Sequence, residues 1–439
     1  MYIDKNIHNF KLSNSISISV SIIVSALISL SIIFFAFIPV TLKAQTNSDV
    51  QTNKSVFTVD GYISVMGMGM YLDDMSYDYS IYNRLNFEYS YGSNLFINIG
   101  MRNLVLPNFG MSNNSNFFSR GVNFLPLTMN WHYGDRRDIK SIFDRFNIQY
   151  FIGNWEFCIG RQNINWSRSL VWNPCNIMST FSYYDIDYPE KQGFDAVSVK
   201  YYLGDLSSIQ AIAKIDSVNH VSVAAMFKTN LSSVDLQVIT AYENLSGINP
   251  LNNRNAVLGG ARGFNESEAI VLGAGWEANI GPIGFRGEIV EHLVLNDNNN
   301  IQNDNNKNAL LCSLSLDYMI DSKWSVQAEY LYNDSDYVIN LNLYGYSSLY
   351  SAPSDPRSLS FSENNIFTRI NYIASPIVNL SLAGIYYPDI NTYFLMPNIK
   401  ISLLENLDLS MISQIFYMDS NHIPSTYIVN SFFQLKYSF

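Results

Sequence analysis

Hydrolytic chemistry needs a histidine within hydrogen-bond reach of a carboxylate or hydroxyl, and the chain offers little of that kind. Of its five histidines, His132, His220, His292 and His422 lie beyond residue 44. None has the His-Glu-x-x-His spacing of a helical metal site. Glu291-His292 is the one suggestive pair, and its place near a strand end makes His292 an exposed rim residue. Cys158, Cys175 and Cys312 are too few and too unevenly spaced for a disulfide framework or a zinc site, although a Cys158–Cys175 bridge stays open. Glycine-rich phosphate loops and basic stripes for nucleic acid are absent. No enzyme, cofactor or metal is expected, and no nucleic-acid partner. The chemistry left to the chain is that of charges placed along a wet passage.

Such charges need elements to position them. Charged residues make up 14% of the chain and aromatic residues 14%, so much of the surface faces something other than water. After the N-terminus no apolar run reaches the ~18 residues of a membrane helix. From Tyr427 to Phe439 the odd positions read Tyr, Val, Ser, Phe, Leu, Tyr, Phe, and polar residues hold most even positions. Period-two segments recur backward to residue 56, and turns such as Gly92-Ser93-Asn94, Gly153-Asn154, Gly281-Pro282, Ser375-Pro376 and Glu405-Asn406 separate them. One fold class fits: all-β, a single antiparallel transmembrane β-barrel of about 18 strands. Alternate connections are all short and are expected in the periplasm. The long ones, 103–145, 162–194, 243–266, 293–308 and 333–364, are expected outside the cell.

The first 44 residues read as a signal peptide, with Lys5 and Lys11 before an apolar run and Lys43-Ala44 at the cleavage point; an uncleaved anchor is the alternative. Residues 45–55 make a short periplasmic segment, and 56–439 the barrel, inserted from Gram-negative periplasm into the outer membrane. The terminal Phe439 resembles the aromatic end by which assembly machinery recognises such barrels.

The polar phase of each strand should face the lumen. That phase places Arg84, Glu88, Arg102, Lys200, Arg286, Glu288 and Arg369 on a wall of mixed sign, a wet wall because neither sign is easily buried dry. The 103–145 connection adds Arg136 and Arg137, and the 162–194 connection adds Arg168 and Glu190. Both are longer than a cap requires and carry their own apolar residues, so one or both are expected to fold inward and set selectivity by rings of charge.

The stretch GRQNINW (Gly160 to Trp166), NPCNIM (Asn173 to Met178) and DYPEKQGFDAVSVKYYLG (Asp187 to Gly204) resembles porin-like barrels related to alginate-export-type channels. The resemblance implies that Arg161, Arg168, Glu190 and Asp195 line the passage. The mixed wall departs from the strongly basic walls of dedicated exporters of acidic polysaccharide. Residue usage and the Lys-Ala-Gln site look like secreted proteins of the Bacteroidetes group. The expected function is passive diffusion of small hydrophilic solutes, with sugars and acidic oligosaccharides as candidates. The expected partners are the bilayer with its lipopolysaccharide, the assembly machinery and the solutes. Homotrimer formation is left open. A closed adhesin or structural barrel and an outer-membrane hydrolase are the alternatives.

Overall fold

The computed structural model describes residues 55–71, 75–105, 123–133, 137–179, 183, 193–217, 219–245, 267–295, 308–334, 356–357, 359–360, 362–420 and 423–439. The expected leader, most of the 45–55 segment, Arg136 and Glu190 lie outside the described residues. Among the described residues, no helix is long and apolar enough to cross a membrane.

The strands, in chain order, are β1 (Ser55–Tyr71), β2 (Met75–Tyr91), β3 (Leu95–Val105), β4 (Thr128–Tyr133), β5 (Arg137–Ile152), β6 (Trp155–Gln162), β7 (Phe194–Tyr202), β8 (Ser208–Ile215), β9 (Val221–Leu231) and β10 (Val234–Leu245). They continue with β11 (Ser267–Ile280), β12 (Ile283–Val294), β13 (Ala309–Met319), β14 (Trp324–Asn333), β15 (Asn364–Ser375), β16 (Val378–Tyr387), β17 (Thr392–Leu404), β18 (Leu407–Ser420) and β19 (Ile423–Ser438). Every pairing is antiparallel, and every one joins sequence neighbours apart from β3 with β5 and β1 with β19. The β1–β19 ladder, from Tyr62↔Ser438 to Tyr71↔Val429, closes a barrel of 18 strands, as the period-two reading expects.

Period two becomes inside and outside. On the outer face Phe146, Ile148, Tyr150 and Ile152 of β5 stand beside Trp155, Phe157 and Ile159 of β6, all well exposed. A lysine or arginine on such a face costs about 2–4 kcal/mol at the bilayer midplane. Aromatic pairs mark both edges of the apolar band. Near the short turns Trp155 meets Tyr201 (4.5 Å) and Trp324 meets Tyr372 (4.2 Å); at the other ends Tyr386 meets Tyr393 (4.6 Å) and Tyr417 meets Tyr427 (4.8 Å). Amphipathic rings settle at the two membrane–water boundaries. The short turns need left-handed residues, and Gly153 (φ 55°) and Gly281 (φ 63°) supply them.

Residues 103–145 are not one loop. The strand expected over 146–152 runs from Arg137, and β4 pairs with its upper part, Thr128↔Ile142 to Tyr133↔Arg137. β4 occupies the edge of β5 that β6 leaves free beyond Phe146↔Arg161. A bulge opposite Gly100/Met101 breaks the alternation at Asp144 and Arg145, which is why this part of the strand reads as loop.

β6, β7 and β8 are short, and residues 123–133 heighten the wall above them, with Asn123 bridged to Asp216. Arg161 and Asp195 hold that join. Gln162 and Ser198 face inward and are hydrogen-bonded at 2.8 Å, so Arg161, one residue from Gln162, and its partner Asp195, three residues from Ser198, take the outward phase. Arg161 meets Asp195 through two hydrogen bonds of 2.9 Å, and its guanidinium also donates to the carbonyls of Leu125 (2.6 Å) and Phe143 (3.0 Å). The Leu125 N–H donates to Asp195 at 2.7 Å. Both side chains are buried at the join and do not line the lumen. Arg161→Ala leaves a buried carboxylate without its partner, so unfolding of the reconstituted barrel in urea should show a loss of about 3–5 kcal/mol; a loss within error of Phe157→Ala on the lipid face would remove the staple role.

Candidate functional site

The inward positions fall into layers. Nearest the short turns the wall is charged and polar: Glu88, Glu156, Lys200, Lys228, Asp235, Glu277, Arg286, Asp317, Gln327, Arg369, Lys400, Asp408 and Lys436 share the inward phase. Neighbours of opposite sign pair there. Arg286 bridges Glu277 (3.0 Å) and Asp317, and Lys400 meets Asp408 at 2.9 Å. One layer higher stand Gln237, Glu288, Ser313, Ser315 and Glu329, all buried. Above them the same strands turn apolar, with Ile239, Val271, Val290, Leu331, Phe367, Ile385, Phe394, Phe416 and Ile428.

The middle layer is buried because the chain after β6 crosses the lumen. Residues 163–179 leave the wall and form no helix or strand. Two carboxylates capture their backbone. Glu288 accepts from the N–H groups of Arg168, Ser169 (2.8 Å) and Cys175 (2.7 Å), and from the Ser167 hydroxyl (3.1 Å). Glu329 accepts from Leu170 (2.9 Å), Val171 (2.9 Å) and Trp172 (2.7 Å), and from the Ser315 hydroxyl at 2.6 Å. Irregular backbone inside a barrel leaves N–H groups without ladder partners, and a carboxylate stripped of water needs donors. Each need meets the other.

Further bonds fix the segment along its length: Trp166 Nε1 to Gln210 (2.9 Å), the Gln237 amide to the Trp166 carbonyl, Ser169 to Ser313 (2.6 Å) and Lys214 Nζ to the Met178 carbonyl (2.9 Å). Its apolar side chains fill the upper layer from both sides. Trp166, Cys175, Ile177 and Met178 pack on β7–β12, while Val171 and Trp172 pack on β14–β19. The expectation of an inward fold therefore holds for 163–179.

Arg168 is delivered to the charged layer. Its guanidinium bonds Gln237 (3.1 Å) and lies 3.4 Å from Glu277 and 3.9 Å from Asp235. Arg84 and Arg102 share the inward phase on the opposite wall, where Arg84 pairs with Asp144 at 2.8 Å and Arg102 lies over the Tyr82 ring at 5.7 Å. Glu88 is exposed near the turn end, Lys200 lies over the Tyr202 ring (4.6 Å), and Arg369 stands beside Phe367 on β15. Arg137 begins β5. Lys140 and Asp144 join the inward wall although their stretch reads as loop.

His292 is not an exposed rim residue. It points inward and is fully buried, with Nδ1 3.4 Å from a carboxylate oxygen of Glu243. The small Ala269 on the intervening strand lets the two side chains meet. Strand-end position misled because the upper lumen is filled at that level. The three cysteines are free, with no Cys158–Cys175 bridge. Burial, and then the nearby Glu288 charge, push the Cys175 thiol well above its ordinary value.

No family model matches the chain, and no curated protein matches it. Solved structures share its fold. The chain is similar to Pseudomonas aeruginosa OccK11 (OpdR) at TM-score 0.51 and 10% identity, covering 87% of this chain and 96% of that one. It is similar to Pseudomonas aeruginosa OccK8 (OprE) at 0.51 and 11%, covering 87% and 98%, and to Pseudomonas aeruginosa OccK5 (OpdH) at 0.50 and 9%, covering 87% and 98%.

Hydrogen bonds to a charged acceptor contribute about 1.5–3 kcal/mol each, so losing one clamp should loosen the segment without opening the barrel. Alkylation reads this out, since the thiolate is the reactive form. Wild-type Cys175 should resist iodoacetamide at pH 8, and Glu288→Gln with Glu329→Gln should make its peptide alkylate readily. Equal, slow labelling in both proteins would show that the carboxylates do not hold the segment.

Proposed function

We propose that this protein is a passive diffusion channel of the bacterial outer membrane, passing small hydrophilic solutes through a lumen that residues 163–179 narrow. The observation that carries the reading is the crossing segment clamped by Glu288 and Glu329 directly above a wall charged with both signs. A barrel built for structure alone has no need to hold an irregular segment across its bore, or to keep ionised side chains below it. The apolar belt with aromatic edges supports membrane insertion, and the shared fold with the Pseudomonas aeruginosa structures is consistent with it. The short turns face the periplasm in this reading, and the chain reaches the membrane as a leader-bearing precursor whose terminal Phe439 meets the assembly machinery.

Selectivity comes from the charged layer. Arg168 balances Asp235 and Glu277, and a solute passes beside them with its hydration partly replaced by wall groups. Arg84, Arg102, Lys200, Arg286 and Arg369 complete the passage with Glu88. Glu288 acts from beneath the segment, as its holder. Neutral sugars and small acidic oligosaccharides fit this mixture, and lipopolysaccharide surrounds the outer rim. Nothing in the reading requires a cofactor.

Liposomes carrying the protein should swell in isosmotic small sugars and not in large ones. Absence of swelling with every sugar would favour a closed structural barrel. In planar bilayers Arg168→Gln should move the reversal potential toward cations, because two carboxylates lose their counter-charge, while Arg168→Lys stays near wild type. An unmoved potential in Arg168→Gln would take the segment's arginine out of the selectivity layer.

A further inference from the structure

We propose that Met66, Met68 and Met70 form a binding site for a soft monovalent cation, Cu⁺ or Ag⁺, on the lumen wall. On β1 the chain reads Val65-Met66-Gly67-Met68-Gly69-Met70-Tyr71. Its pairing runs without a bulge on both sides, placing Met66, Met68 and Met70 opposite Ser80, Asp78 and Ser76 on β2 and opposite Gln434, Phe432 and Asn430 on β19. An unbroken ladder keeps alternate residues on one face. That face is the inner one, where Met66 is fully buried against Tyr82 and Leu104 and where Met68 and Phe432 pack beside them.

Successive thioethers on one face stand about 6.6 Å apart along the strand, a gap that two flexible methionine side chains close around a shared ion. Thioether sulfur is neutral and polarizable, and it selects soft ions over magnesium or calcium. Beside this apolar packing the surroundings carry polar groups. The Tyr82 hydroxyl donates to Met66 Sδ at 3.2 Å, and Ser80 donates to that hydroxyl at 2.7 Å. The Asp78 carboxylate, in register with Met68, provides the negative charge that a bound cation calls for.

Packing does not account for the pattern. A Cβ at Gly67 would meet nothing within 4 Å, and at Gly69 it would meet the Tyr77 ring only at ordinary contact, 3.6 Å. Glycine weakens a strand, and leucine or isoleucine fills a wall with less loss of order than methionine. Met178 and Met226 share one apolar cluster and Met396 and Met418 another, but in neither do they alternate along a single strand; they serve as fillers.

Silver ion in chloride-free buffer is the probe, titrated calorimetrically into the folded full-length protein with Cys158, Cys175 and Cys312 changed to alanine, because thiolates would compete. This protein should take up silver in proportion to chain and retain it when Met396→Leu and Met418→Leu are added. Met66→Leu, Met68→Leu and Met70→Leu together should abolish uptake, and leucine keeps the side-chain volume. Heat-modifiable migration on gels checks that each variant is folded; if the triple variant is not, Met68→Leu alone, at a half-buried position, should weaken binding. Undiminished uptake in the folded ladder variant, or none in the cysteine-free protein, overturns the proposal.

Discussion

Inside a bilayer an unpaired backbone N–H or C=O has no water to turn to and costs several kcal/mol, and that constraint governs everything else in this molecule. A sheet can meet it only by having no edge. The ten-residue-deep ladder between β1 and β19 removes the edge, and the strict alternation of side chains follows. Outward positions become lipid-facing and apolar, while inward positions are free to carry charge. β4 extends the same logic where β6 stops short, by pairing with the part of β5 left uncovered.

The lumen raises the complementary problem. A segment that crosses it cannot use ladder bonds, and the carboxylates that bind it cannot stay dry without donors. Glu288 and Glu329 meet both demands with backbone N–H groups from one short stretch, 168–175. Hydrophobic burial then orients the segment: Trp172 packs edge-on to Phe367 at 6.3 Å on one side, and Trp166 enters the β7–β12 cluster on the other. The position of Arg168 follows, since the same turn that seats its backbone on Glu288 aims its side chain at Gln237 and Glu277.

The strands were legible because period two, aromatic strand ends and glycine or proline turns all point to one architecture. Where two signals disagreed, reading failed. The upper half of β5 carries Arg137, Asp138, Lys140, Asp144 and Arg145, and a bulge shifts their phase, so composition suggested a loop. For Arg161 and Asp195, alternation from Trp155 and Phe194 implies the outward phase; the family resemblance pointed to the passage, and the structure follows the alternation. Glu288 was legible as inward but not as a holder of backbone, because its partners lie about 120 residues away in sequence. The burial of His292 depends in the same way on what fills the barrel, which strand phase does not encode.

The central claim is that one face of this sheet meets lipid and the other encloses a packed segment. Tryptophan quenching by brominated phospholipids tests it directly, using single-tryptophan proteins reconstituted into vesicles. Trp155 and Trp324, on the outer face near the short turns, should be quenched strongly, and Trp166 and Trp172 should be unaffected. Quenching of Trp172 as strong as that of Trp155 would place the segment against lipid and contradict the account.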